Sequence, residues 1–226
     1  MSSYCARGSV RRFHWPPSRD LAISPATLKR YLEVLQALYI VFTVQPWRHN
    51  VGRAILQTPK VYFFDTGLVR GDDGVRLENA VAAMLLKHVH FRQDARGKPA
   101  NLHYIRTKDG AEVDFALSDD RELSHLIECR LSDSSVHRAL AGFANKFPGA
   151  EAIQLVRDLR QEECRASVRI TGAAGWLAGL EASAGADAPR ERGTRIRPGP
   201  SGSSATSWAN QQSTCFASRN LAAYLR

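Results

Sequence analysis

Residues 110–130, GAEVDFALSDDRELSHLIECR, alternate apolar and polar side chains on both sides of a charged turn. A pair of antiparallel strands accommodates that pattern, because successive side chains on a strand point to opposite faces of a sheet. On the first strand Ala111, Val113, Phe115 and Leu117 share one face, which leaves Glu112 and Asp114 together on the other. On the second strand Glu128 and Arg130 share a face. With the turn centred near Arg121, Asp114 lies across from Glu128 and Glu112 across from Arg130. Three carboxylates then converge on one patch of sheet. Such a cluster either holds a hard divalent cation or is absorbed in salt bridges, and the alternation leaves both open.

The flanking elements follow from periodicity. Leu77, Val81, Met84, Leu85 and Val89 recur at helical spacing and predict a helix over residues 77–90. Strands are expected over 102–107, 111–117 and 126–130, then a helix over 135–147 and a strand over 152–156. A further strand at 166–170 and a short helix at 174–180 follow. Upstream, SPATLKRYLEVLQALYIV opens with Ser24 as a cap and Pro25 at the first helical position, and Leu28, Leu32, Leu35 and Leu38 form its apolar stripe. Two extended pieces, 40–46 and 60–64, surround a polar turn that contains His49, Asn50 and Gly52. A helix followed by such a hairpin is the second half of a winged helix, whose preceding short helix is placed near 19–22.

The order helix, three antiparallel strands, helix, strand is the core of the PD-(D/E)XK nuclease-like fold. The pieces SPATLKRYLEVLQALYIV, QPWRHN, TPKVYFFDTGL, LENAVAAMLLK, HYIRTKDGAEVDFAL and LIECRLS, across roughly residues 20–160, resemble a specific family. It is the C-terminal region, of the DUF4143 type, of prokaryotic AAA+-type ATPases, in which a winged helix precedes a nuclease-like domain of unknown function. The resemblance implies an α/β (α+β) fold class: a winged-helix segment followed by a restriction-endonuclease-like αβββαβ domain. Residues 1–19, with Pro16-Pro17, read as an irregular N-terminal segment, 20–70 as winged-helix-like and 71–183 as the nuclease-like domain. Residues 184–226 are rich in Arg, Gly, Ser and Pro without apolar period, and read as a disordered basic tail.

Two departures from the family pattern bear on function. The sequence contains no GxxxxGK[ST] phosphate loop, so no ATP-binding residues are assigned and no ATP hydrolysis is expected. The family usually has Lys two residues after the second-strand glutamate, where this chain has Arg130. In an active relative, Glu78, Asp114 and Glu128 would hold Mg2+ or Mn2+, and the cation would activate a water for attack on phosphorus. The residue at position 130 would orient that water or stabilise the developing charge. Arg is planar, bulkier and never deprotonated, so it replaces Lys poorly there, yet it is well suited to neutralise Glu112 or Glu128 directly. The leading expectation is a non-catalytic or catalytically weakened nucleic-acid- or protein-binding module, and the alternative is a Mg/Mn-dependent DNA nuclease using Asp114, Glu128 and Arg130.

A formal net charge of +9 points to an anionic partner, DNA first, with another protein or an ATPase subunit in trans as the further candidates. The charge is uneven. Residues 1–30 carry six basic side chains against Asp20, residues 187–226 carry six against Asp187 and Glu191, and the middle is nearly balanced. On the winged-helix segment, Thr27, Lys29, Arg30, Arg48 and Arg53 are the candidate DNA contacts, and Lys60 is the other basic residue of the hairpin. Cys5, Cys129, Cys164 and Cys215 have neither zinc-knuckle nor disulfide-framework spacing, and no apolar run is long enough to span a membrane. A reducing, cytoplasmic setting without a membrane partner is expected. Asp65-Thr66-Gly67 matches the local signature of aspartic proteases, but those need two such loops, so it reads as a strand-ending turn with Asp65 capping the backbone and Gly67 at positive φ. His88 and His90, two apart on a helix, face different ways and read as surface residues, and Trp47 and Phe63 read as packing residues.

Overall fold

The structure is a computed structural model that describes residues 24–47, 58–132 and 135–186. The expected short helix near 19–22, the turn with His49, Asn50 and Gly52, residues 1–19 and the tail beyond residue 186 lie outside the described residues. Helix α1 (Pro25–Ala37) begins where Ser24 accepts a hydrogen bond from the Thr27 amide at 3.1 Å, with Pro25 in the first turn. It is followed by the hairpin β1 (Val41–Pro46) and β2 (Lys60–Phe63). Helix α2 (Asp73–Arg96) outruns its expected span at both ends. Asp72 caps its N-terminus through the Val75 amide, and Gly97, at φ 58°, supplies the left-handed residue that closes its C-terminus. Strands β3 (Ala100–Arg106), β4 (Glu112–Asp119) and β5 (Glu122–Arg130) come next, followed by α3 (Arg138–Lys146) and β6 (Glu151–Val156). The short β7 (Glu163–Arg165), β8 (Val168–Gly172) and α4 (Ala173–Ala186) complete the order.

All eight strands form one mixed sheet in the order β2-β1-β3-β4-β5-β6-β8-β7. The β1–β2 hairpin is not a free-standing wing: β1 pairs parallel to β3, with Gln45 opposite His103, so the hairpin extends the sheet of the following unit. Helices α2 and α4 cover one face of the sheet, where Leu77, Val81 and Leu85 pack on Val44, Tyr104, Leu117, Ile127 and Ile153. Helix α3 covers the other face, where Leu140 and Phe143 pack on Ile105, Ala116 and Leu126. Burying each such side chain contributes roughly 1.5–3 kcal/mol, so this three-layer arrangement carries most of the stability. Among the described residues no helix is long and apolar enough to cross a membrane.

Several expectations are corrected. Val113 does not share a face with Phe115 and Leu117: it packs with Ile105 and Ala116, whereas Phe115 and Leu117 pack under α2. A bulge causes the change, because between the pairs His103–Ala116 and Ile105–Val113 the single residue Tyr104 faces both Asp114 and Phe115. The expected strand at 166–170 starts later, since Ala166 and Ser167, both at positive φ, are the turn that joins β7 to β8. Gly67 is not among the positive-φ residues; it sits in a 3₁₀ turn, where Asp65 accepts its amide at 2.8 Å and a Cβ would meet Asp65 Oδ1 at 3.1 Å. On α1 only Leu28 of the leucine stripe is buried, and Leu38 is exposed. His90 is exposed as expected, while His88 is half-buried, and that burial lowers its pKa.

Candidate functional site

The turn between β4 and β5 is Asp120-Arg121, and the ladder pairs Phe115 with Ile127. Continuing that register by one residue places Asp114 opposite Glu128, as the alternation implied. The ladder is not continued there by main-chain pairing alone: Asp114 Oδ2 accepts the Cys129 amide at 3.1 Å, so the carboxylate itself bridges the two strands. The bulge at Tyr104 brings Phe115 to the side on which Glu112 and Asp114 already lie, and α2 lays Glu78 over the same spot.

The centre of this group is Lys60, from the edge strand β2. Its Nζ is 2.9 Å from Glu112 Oε1, 3.1 Å from Glu78 Oε1 and 3.6 Å from Asp114 Oδ1, and it donates to the Asp114 carbonyl at 3.5 Å. The ammonium also lies 5.4 Å from the Tyr104 ring centroid and 5.8 Å from that of Phe115. Its side chain is only 11% exposed. Burial alone would lower the Lys60 pKa, but Glu78, Asp114 and Glu112 outweigh it and hold the ammonium above its ordinary value. Tyr62 donates its hydroxyl to Glu78 Oε1 at 2.7 Å, and Arg106 donates to Glu112 Oε2. Burial and the neighbouring Asp114 raise the pKa of Glu78, against the pull of Lys60 and Tyr62.

Glu128 belongs to a second group. Arg130 Nη2 and His137 Nδ1 lie 3.2 Å and 3.1 Å from its Oε1, and the carboxylate is nearly inaccessible. Burial first, and Asp114 second, push the Glu128 pKa up to about 7, against the influence of His137 and Arg130. The segment that presents His137 is pinned by the buried Gln154 of β6, which accepts the His137 amide at 2.9 Å and donates to the Ser135 carbonyl at 2.9 Å.

A divalent cation held by Glu78, Asp114 and Glu128 does not fit this arrangement. The point shared by Glu78 and Asp114 is held by an ammonium, and Glu128 faces Arg130 and His137. Among the described residues no group of three or more His, Cys, Asp or Glu side chains is placed to hold a metal ion. The sequence singled out Glu78, Glu112, Asp114, Glu128 and Arg130, and the structure brings all five into two adjoining charged groups. It missed Lys60, Tyr62, Arg106 and His137. Lys60 in particular read only as the other basic residue of the hairpin, whereas it is turned inward. Of the candidate DNA contacts, Lys29 and Arg30 are exposed on α1, with Lys29 3.9 Å from Glu33, and Thr27 hydrogen-bonds Ser24. Arg48 and Arg53 lie outside the described residues. Trp47 packs edge-on to His103, and Cys129 and Cys164 are free thiols.

Comparison with known families divides the residues of the site between two matched spans. Residues 73–172 match the family DUF4143, a domain of unknown function. Residues 17–75 match a second domain of unknown function, DUF8612. Glu78, Glu112, Asp114 and Glu128 therefore fall in the DUF4143 match, and Lys60 and Tyr62 in the other. Uncharacterized proteins of Mycobacterium tuberculosis and Mycobacterium bovis are each 33% identical to this chain over 153 residues, 61% of this chain and 35% of the relative. The chain thus spans about a third of the length of these curated relatives. No solved structure matches it.

Proposed function

We propose that the chain is a non-catalytic binding module for an anionic partner, built around a nuclease-like acidic centre that its own cations neutralise. The observation that carries this reading is Lys60, whose ammonium lies within 4 Å of carboxylate oxygens from Glu78, Glu112 and Asp114. Metal-assisted phosphoryl chemistry needs those oxygens turned to a cation that can also bind and activate water, which an ammonium cannot do. Arg130 and His137 both lie against one oxygen of the remaining carboxylate, Glu128. Nucleic acid is the first partner to test, because the basic excess of the chain lies in residues 1–30 and 187–226 and phosphate is the commonest partner of such segments. The resemblance to AAA+-associated domains adds an ATPase subunit in trans as a partner class.

The test is incubation of the purified chain with supercoiled plasmid and Mn2+, beside fluorescence anisotropy on a labelled duplex at stepped salt. The reading expects intact plasmid, and binding that weakens steeply as salt rises. Nicking or linearisation that Asp114→Ala abolishes would establish the rival, a Mg/Mn-dependent DNA nuclease using Asp114 and Glu128. Absence of binding at low salt would remove nucleic acid and leave a protein partner.

A further inference from the structure

Helix α1 carries apolar side chains on two faces. Leu28, Leu32 and Leu35 are the buried or half-buried ones, whereas Tyr31, Val34 and Leu38 are exposed. The spacing i, i+3, i+7 sets these last three on one stripe. The stripe runs on into Tyr39, whose ring lies 5.9 Å from that of Phe64 at the end of β2, and Phe64 rests 5.0 Å from the buried Phe42. These five large apolar side chains are 39% to 77% exposed and form one surface. Contiguous apolar surface of this kind marks an interaction site. Tyr39 sharpens the point. It closes α1 at φ 55°, with its amide on the Gln36 carbonyl and the Ile40 amide on the Leu35 carbonyl, each at 3.0 Å. Glycine is the usual residue at such a helix end, because a side chain there is strained. Tyrosine accepts that strain while presenting its ring outward. Helix α1 is also only 13 residues long with Leu28 as its buried residue, and helices of that length depend on packing for their stability.

We propose that this surface pairs with itself, so that two copies of the chain form a dimer through antiparallel α1 helices about a two-fold axis near Val34. A two-fold interface requires that residue i of one copy meets j of the other, and j meets i. The stripe satisfies this, since Tyr31 and Leu38 stand three residues before and four after Val34. Val34 then meets its own counterpart, and Tyr31 meets Leu38 on both sides of the axis. Charge selects the antiparallel sense. A parallel pair would set Lys29 and Arg30 beside their counterparts, whereas an antiparallel pair separates the two Arg30 side chains by roughly 12 Å along the helix direction. The area also suits a second copy. A whole aromatic side chain offers about 150–250 Å², so the exposed parts of the five residues sum to several hundred Å², a large share of the roughly 800 Å² that each partner gives to a standard interface. Nucleic acid matches the stripe poorly, because phosphate contacts need cations and the stripe itself is uncharged. The dimer is independent of what the basic ends of the chain bind.

Sedimentation velocity and thermal unfolding over a range of protein concentrations test it, on the wild-type chain, Val34→Lys and Tyr39→Gly. Wild type is expected to pass from the mass of one 25.0 kDa chain to twice that mass as concentration rises. Its melting temperature is expected to climb with concentration, as association of the folded state requires. Val34→Lys sets two ammonium groups against each other at the axis, and is expected to stay monomeric with a melting temperature independent of concentration. Position 34 is half exposed in the single chain, so the variant keeps its fold. Tyr39→Gly is expected to move two readouts in opposite directions. It raises the melting temperature of the dilute monomer by relieving the left-handed residue, and it raises the dimer dissociation constant about tenfold or more by removing an aromatic anchor. A wild-type chain of single mass at every concentration overturns the inference. So does a dimer that either variant leaves intact, or association that continues into larger species. Each of these outcomes leaves the binding-module reading standing.

Discussion

Lys60 and Glu128 show how differently two buried charges in one site are treated. Lys60 meets three carboxylates and two ring faces, and its desolvation is more than offset. Removing one partner of a buried ionic group leaves the others uncompensated, which typically costs about 3–5 kcal/mol. Lys60→Met is accordingly expected to lower the unfolding free energy measured in urea by that amount, while Lys60→Arg, which keeps the charge, loses less. Glu128 is the opposite case, because burial and Asp114 raise its pKa from 4.5 to about 7. The folded state therefore holds a proton that the unfolded chain releases between these values. The resulting stability is fully present below pH 4.5 and is lost as pH rises through 7. At 1.36 kcal/mol per pH unit the contribution has a ceiling of about 3 kcal/mol. Glu128→Gln, neutral at every pH, is expected to flatten this part of the stability curve, so that the variant gains on wild type between pH 5 and pH 8. Urea unfolding at the two pH values measures it, and parallel losses for both proteins would refute the assignment.

At the scale of elements, the decisive piece is β2, a four-residue edge strand that must hold Lys60 in place. One side of β2 pairs with β1, with Val44 opposite Lys60 and Val41 opposite Phe63. On α2, the buried Asn79 stands in for a further strand: its Oδ1 accepts the Phe63 amide at 2.8 Å and its Nδ2 donates to the Phe63 carbonyl at 2.9 Å. Asn79→Ala would leave two main-chain groups unsatisfied, at about 1–3 kcal/mol each. It is expected to cost a few kcal/mol, and to show first as faster amide exchange across residues 60–63 with the α3–β6 region unaffected. Uniform acceleration over the whole sheet would instead mean that β2 has no independent role. Much of this layer was legible in the sequence. The α1 cap at Ser24-Pro25, the β1–β2 hairpin and the three antiparallel strands follow from alternation, helical period and cap chemistry, whereas Asp114 falls against Glu128 only because a bulge between the pairs Ser118–Leu123 and Leu117–His125 shifts the β4–β5 register by one residue. What escaped was local irregularity. Strict alternation assumes one residue per rung, so the bulge at Tyr104 was invisible, and with it the separation of Val113 from Phe115. The β7–β8 turn escaped because Ala166 and Ser167 adopt φ of 48° and 60° without the Asn-Gly chemistry that normally announces such a turn.

For the molecule as a whole, one sheet runs through residues that match two families, and the charged centre is built across the join. Sequence reading identified the acidic half of that centre because Glu112, Asp114, Glu128 and Arg130 lie close together along the chain. It missed Lys60 because a salt bridge across 54 positions depends on β1 pairing in parallel with β3, a long-range choice that no local pattern encodes. The basic excess has the opposite distribution: it lies outside the balanced middle of the chain, so the proposed partner binding does not depend on the neutralised centre. Lys60 is a buried clasp whose ammonium is held above its ordinary pKa, and NMR of the chain labelled at lysine Cε is the measurement that decides this. One lysine signal is expected to stay in its protonated position from pH 7 to about 11, beyond the ordinary lysine midpoint of about 10.4, and to be missing from the spectrum of Lys60→Met. A Lys60 signal that titrates at or below that midpoint would contradict it.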